Sequence, residues 1–179
     1  EWGVVVLMEV KTGYVRAITN LKRFENAEGI ANYYESYNHA LGKAIEPGST
    51  FKLASLITCL ESGKIAITDS INTGNGVAFF HDRRMRDSNW KKGGHGKITL
   101  RECFEMSSNI GSALAVKQCF GLEPQKFLDG LKRIGVTQPL GINLVGEGTP
   151  KIYSTVGQGD WSGISLTQMA IGYEVTQTP

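Results

Sequence analysis

Glu46-Pro47-Gly48-Ser49-Thr50-Phe51-Lys52-Leu53-Ala54-Ser55-Leu56-Ile57-Thr58-Cys59-Leu60 is the stretch on which the reading turns. Pro47-Gly48 breaks the chain, and a helix is expected from about Ser49 to Leu60. At about 100° per residue, Phe51, Leu53, Ala54, Leu56, Ile57 and Leu60 spread around the whole circumference. A helix apolar all round is expected to be buried on all sides. Lys52 is the one charge inside it. Ser49 and Lys52 stand at i and i+3, so they face the same way one turn apart. Ser49 also sits at the helix start, where free N–H groups and the helix dipole favour developing negative charge.

A serine hydroxyl is a poor nucleophile unless a base takes its proton. A lysine amine can act as that base only if burial and neighbours lower its pKa, and a buried helix supplies the desolvation. The plainer alternative makes Ser49 a helix cap and lets Lys52 snorkel to the surface. Ser-x-x-Lys alone is common by chance; the apolar setting is what gives the reactive reading its weight.

Nearer the start of the chain, Val4 to Val10 and Tyr14 to Thr19 read as two strands around a Lys11-Thr12-Gly13 turn. Asn20 to Gly48 reads as a long ordered loop with little regular structure, and Gly63 to Gly96 as loop-rich. Four helical patterns follow. Thr99 and Glu102 make a capping box before Leu100, Cys103 and Phe104. A break near Ser107 precedes Ile110, Ala113, Leu114 and Val116. Pro124 opens the third, with Phe127, Leu128, Leu131 and Ile134 at core spacing and Gly135 as its stop. Ser165 and Gln168 form a second expected capping box, with Leu166, Met169, Ala170 and Tyr173 on one face. Strands at one end and helices afterwards indicate an α+β fold whose antiparallel sheet is incomplete within this sequence.

Ser107-Ser108-Asn109 lies in the break between two helical patterns, where Ser and Asn often serve only as caps. Ser-x-Asn after Ser-x-x-Lys, however, is the pairing of serine acyl-transferases, which also use a Lys-Thr-Gly element. Glu46 to Lys52 and Ser107-Ser108-Asn109-Ile110-Gly111 resemble the nucleophile and second motifs of the penicillin-binding protein transpeptidases almost letter for letter. Val4 to Ala17 resembles the first two strands of that family, and Gly163 to Thr178 the helix leading to its third motif. The resemblance covers nearly the whole chain and is nearest to the class B, cell-division type.

The resemblance implies the fold of those transpeptidases and of serine β-lactamases. It also implies that Ser49 attacks the carbonyl between the terminal D-alanines of a peptidoglycan stem peptide, with Lys52 accepting its proton. Ser107 would relay that proton to the departing D-alanine, and Asn109 would bind the substrate amide and hold Lys52. β-Lactams would mimic the substrate and block Ser49, whose N–H would form half of an oxyanion hole. No cofactor is implied. An extracytoplasmic or periplasmic location, a membrane anchor upstream and cell-wall synthesis partners are.

One departure stands out. No Lys-Thr-Gly follows Asn109, and the Lys-Thr-Gly at Lys11 to Gly13 reads as a hairpin turn sharing the letters by accident. Residues 1–179 are therefore expected to be a partial transpeptidase domain, incompetent alone. Such a piece would self-associate through an exposed sheet edge or be completed by another chain. Two rivals stand, a hydrolase within the same fold and a receptor from another functional class. A class A β-lactamase needs a glutamate that activates a deacylating water, and Glu123, Glu147 and Glu174 lie in no such context. A β-lactam-sensing receptor domain would acylate without turnover.

Composition excludes other classes. Hydrophobic residues make up 41% and charged ones 20%, as in an ordinary globular domain, and the net charge of +2 gives no argument for nucleic acid. No apolar run approaches the ~18 residues of a membrane span, and the opening residues are expected to be a strand rather than a signal peptide. Cys59, Cys103 and Cys119 lack CxxC spacing and read as small core residues. His39, His81 and His95 lack metal-ligand spacing, and His81-Asp82 falls in a charged stretch, His81 to Lys92, that reads as a solvated loop. A P-loop fails because Lys91 stands where glycine is needed and Ile98 follows Gly96-Lys97.

Overall fold

A computed structural model describes residues 1–178 and divides into two compact units. The first comprises residues 1–45 and 139–150 and the end of the chain from Gln177. Its centre is an antiparallel sheet of β1 (Trp2–Met8), β2 (Val15–Glu25) and β3 (Ala31–Glu35), in the order β1-β2-β3. Val5 pairs with Thr19 and Val6 with Ile18, and the register shifts between Leu7 and Met8. The sheet has a strand more than the hairpin expected from sequence. β2 runs on to Glu25, and the Asn26 carboxamide accepts the N–H groups of Glu28 and Ile30, turning the chain back as β3. Polar letters that read as loop here build a turn between paired strands. After it, α1 (His39–Gly42) is held to the sheet by Asn20, a buried side chain that accepts from the Ala40 N–H and donates to Asn38. Among the described residues β1 is paired on one side only.

The second unit comprises residues 46–138 and 151–176. A 3-10 turn (Gly48–Phe51) leads into α2 (Lys52–Glu61), close to the expected helix. The loop-rich stretch that follows contains short strands. β4 (Ser70–Asn72) pairs with β7 (Lys97–Thr99), and β5 (Val77–Phe80) with β6 (Arg83–Arg86). His81-Asp82 is the two-residue loop of the β5–β6 hairpin, and His81 takes the positive φ of 51° that such a loop demands. These strands of three or four residues are too short to show a period in the sequence. The stretch expected to be a solvated loop thus holds an ordered hairpin, with Met85 buried.

The four later helices stand where their signals put them: α3 (Leu100–Glu105), α4 (Asn109–Phe120), α5 (Pro124–Arg133) and α6 (Ser165–Met169). Thr99 and Glu102 form the full capping box of α3. Pro124 is at the first turn of α5, and Gly135 ends it at φ 85°. The box expected at Ser165 is absent, because Ser165 is already inside the helix and its hydroxyl accepts the Ser162 N–H at 2.9 Å. Phe120, Phe127, Leu131, Met169 and the three cysteines, all buried and the cysteines free, form the core with one face of α2. That face carries Ala54, Ser55, Thr58 and Cys59, with buried Phe51 just before it. Gly130 of α5 lies so close to Thr58 that a Cβ there would overlap its methyl group. The opposite stripe is open: Leu53, Ile57 and Leu60 are 52%, 37% and 36% exposed. The expectation that α2 is buried on all sides therefore fails within this chain, since no described element covers the 53–57–60 stripe.

Candidate active site

Ser49 sits in the second position of the 3-10 turn and is exposed. Its neighbourhood is fixed by backbone. Gly48, at φ 55°, donates its N–H to the Gly172 carbonyl at 3.1 Å. Gly172 has φ 84°, and a Cβ there would collide with the Gly48 carbonyl. Both features require glycine. About two turns further along, the Ser55 hydroxyl donates to the Ala170 carbonyl at 3.0 Å. The start of α2 is thus clamped to the end of α6.

Lys52 is turned into the protein and is 2% exposed. Its Nζ donates to the Ser107 carbonyl at 2.6 Å, to Ser107 Oγ at 3.1 Å and to Asn109 Oδ1 at 2.7 Å. Three acceptors match the three N–H donors of an ammonium group. Burial lowers the Lys52 pKa to about 8, and the negative charge of Asp87 opposes that shift. Near neutral pH the amine is mainly protonated, and a modest rise in pH frees a lone pair.

The acceptors come from a break between α3 and α4. Ser107 holds φ 52°, a conformation costly for a residue with a Cβ, and this turn lets its carbonyl and hydroxyl both face Lys52. Ser108 caps α4, its Oγ accepting the Gly111 N–H at 2.8 Å. Asn109 is oriented by its own amide, which donates to the Arg86 carbonyl at 2.9 Å and leaves Oδ1 for Lys52.

Of the four residues singled out from sequence, Lys52, Ser107 and Asn109 are joined by hydrogen bonds. Ser49 is one turn from Lys52 in the chain, but among the described residues no hydrogen bond joins its Oγ to Nζ. Sequence reading missed Gly172, the Arg86 carbonyl and Asp87. Asp87 follows Met85 by two residues, and that strand alternation was the signal available for an inward-facing side chain.

The family description "Penicillin binding protein transpeptidase domain" matches residues 3–179. The chain belongs to the penicillin-binding protein transpeptidase family. Stage V sporulation protein D of Bacillus subtilis is 30% identical over 178 residues, which are 98% of this chain and 26% of that protein. Peptidoglycan D,D-transpeptidase FtsI of Escherichia coli is 25% identical over 181 residues, all of this chain and 29% of that protein. The chain thus spans between a quarter and a third of the length of these two relatives. Among solved structures, the apo TP domain of Burkholderia pseudomallei penicillin-binding protein 3 aligns with a TM-score of 0.78 at 20% identity, over 99% of this chain and 46% of that one. Penicillin binding protein 3 of Mycobacterium tuberculosis, complexed with aztreonam, aligns at 0.75 and 23% identity, over 98% of this chain and 38% of that one. The fold is that of penicillin-binding protein transpeptidase domains.

Proposed function

We propose that the protein carrying this chain is a peptidoglycan D,D-transpeptidase acting through a serine acyl-enzyme, and that β-lactams block it. Ser49 Oγ attacks the carbonyl between the two terminal D-alanines of a stem peptide. A bond forms from Oγ to that carbon and the C–N bond breaks. The Ser49 proton passes to Lys52 and, by way of Ser107, to the nitrogen of the departing D-alanine. An amine of a second stem peptide then displaces Ser49 and forms the cross-link. Asn109 holds Lys52 and takes the substrate amide. The observation that carries this reading is the buried Lys52 amine, held by Ser107 and Asn109 one helical turn after an exposed Ser49.

The clamp for the substrate carboxylate and the second oxyanion donor are assigned to sequence outside these 179 residues. No described helix is long and apolar enough to cross a membrane. The substrate class puts the site on the periplasmic or extracytoplasmic face, with an anchor and cell-wall synthesis partners contributed by the rest of the protein. The test is transfer of a stem-peptide acyl group to an added D-amino acid by the full-length protein. Exchange of the terminal D-alanine is expected. Acylation by penicillin without exchange would make the protein a sensor, and rapid release of hydrolysed penicillin would make it a β-lactamase.

A further inference from the structure

Asp87 lies just beyond β6 in a stretch rich in charge, yet it is 1% exposed. Its N–H donates to the Gly76 carbonyl at 3.0 Å. Both carboxylate oxygens are engaged: Oδ2 accepts from Ser108 Oγ at 2.8 Å and Oδ1 from the Ile110 N–H at 3.1 Å. Ser108 is itself 1% exposed and passes the hold on by accepting the Gly111 N–H. One carboxylate therefore fixes the whole first turn of α4.

A neutral side chain could satisfy a hydroxyl and an N–H at lower desolvation cost, since burying a carboxylate whose hydrogen-bond partners are neutral is unfavourable. The charge has a beneficiary close by. Ser107 and Asn109 flank Ser108 and direct their acceptors at Lys52, while Ser108 faces the opposite way into Asp87. Pinning the middle residue aims its two neighbours. The left-handed Ser107 persists only where its surroundings over-determine it, and Asp87 supplies that constraint.

We propose that Asp87 is a positioning residue for acyl transfer, pinning the Ser107–Asn109 turn against Lys52 and supplying the counter-charge to its buried ammonium. The inference rests on Lys52 acting as the base for Ser49. The other ionisable groups around the amine leave the counter-charge to Asp87. From α3, burial pushes the Cys103 thiol up to about 11, and Glu102 is occupied in the Thr99 capping box. On α2, the hydrogen bond with Cys119 raises the Cys59 thiol, and Glu61 pairs with Arg133 of α5 at the far end. The Arg86 guanidinium lies over the Trp90 ring, 4.4 Å from its centroid. The first turn of α4 brings no ionisable side chain.

The experiment measures penicillin acylation of the full-length protein from pH 6 to 10, in wild type, Asp87→Asn, Ser108→Ala and Ser49→Ala. If neutral Lys52 is the reactive form, the rate rises with pH through its pKa. Asp87→Asn keeps shape and removes charge, so its ascending limb is expected to shift toward acid by about half a pH unit or more, with a plateau at least about tenfold lower. Ser108→Ala keeps the charge and loosens the turn, so its limb should stay in place while the plateau falls by about threefold or more. A purely structural role would lower plateau and melting temperature together and leave the Asp87→Asn limb unmoved; that result overturns the inference. Should Asp87→Asn not fold, a wild-type plateau in folded Ser108→Ala overturns it instead. Failure of the wild type to label, or labelling that survives Ser49→Ala, overturns the reading of the site itself and this inference with it.

Discussion

Lys11-Thr12-Gly13 and Ser107-Ser108-Asn109 are both short polar turns between ordered elements, and both contain a residue with positive φ. In the first, that residue is Gly13 at 73°, which accepts the conformation freely; in the second it is Ser107 at 52°, which does not. The first turn is exposed and its bonds are local. Thr12 donates to Glu9 at 2.7 Å, and Glu9 pairs with Arg16. The second turn is bonded to Lys52, across 55 and 57 residues of chain, and its middle residue is buried on Asp87. Strain held by distant buried partners marks a built arrangement, whereas a glycine turn closed by its own neighbours needs no more than a hairpin. By letters alone, both turns match elements of one catalytic set.

The sharpest way to break this contrast is at Lys52. Lys52→Ala in the full-length protein is expected to slow penicillin acylation by about 10²–10⁴, the usual worth of a general base. A loss under about tenfold would mean the buried amine is only a strut for the 107–109 turn. Gly172→Ala tests the clamp behind Ser49. Its positive φ and the contact with Gly48 should lower acylation by about tenfold and destabilise the fold by about 1–3 kcal/mol, seen as a lower denaturant midpoint. An unchanged rate and midpoint would show that the Gly48 backbone can move aside freely.

The first unit yields a weaker effect. Among the described residues β1 is paired on one side only, which leaves N–H and C=O groups beside exposed Val5 and Leu7 as a template for another strand. Light scattering on the isolated 179-residue chain should report dimers or larger species. A monomer with a cooperative melt and normal acylation would show that the edge is adequately protected. Smallest of all, Lys11→Ala should leave acylation by the full-length protein within about twofold, as surface substitutions rarely exceed ~0.5 kcal/mol. A hundredfold loss would put the hairpin in the site and erase the contrast.

How much was legible follows the same division. α3, α4 and α5 carry local signals, namely a capping box, an apolar period and a Pro-to-Gly frame, and each is present. The association of Lys52 with Ser107 and Asn109 was legible only through the resemblance, because no local rule links positions more than 50 residues apart. β3 and the β5–β6 hairpin were missed because short strands joined by Asn, Asp and His turns look like loops. The burial of α2 was overstated. An apolar circumference records every surface a helix can cover, and the described residues cover only the Phe51–Cys59 side. Asp87 was missed for the reverse reason: charged neighbours at Arg83, Arg84 and Arg86 disguised a strand whose alternation, carried one residue past its end, turns a carboxylate inward.

Ser49 is proposed as the nucleophile and Lys52, held by Ser107 and Asn109, as its base. Mass spectrometry of the full-length protein after reaction with penicillin locates the acylated residue. One adduct is expected, on the peptide containing Ser49, absent in Ser49→Ala while that variant melts as the wild type does. An adduct on Ser107, or labelling that persists in Ser49→Ala, would contradict the assignment.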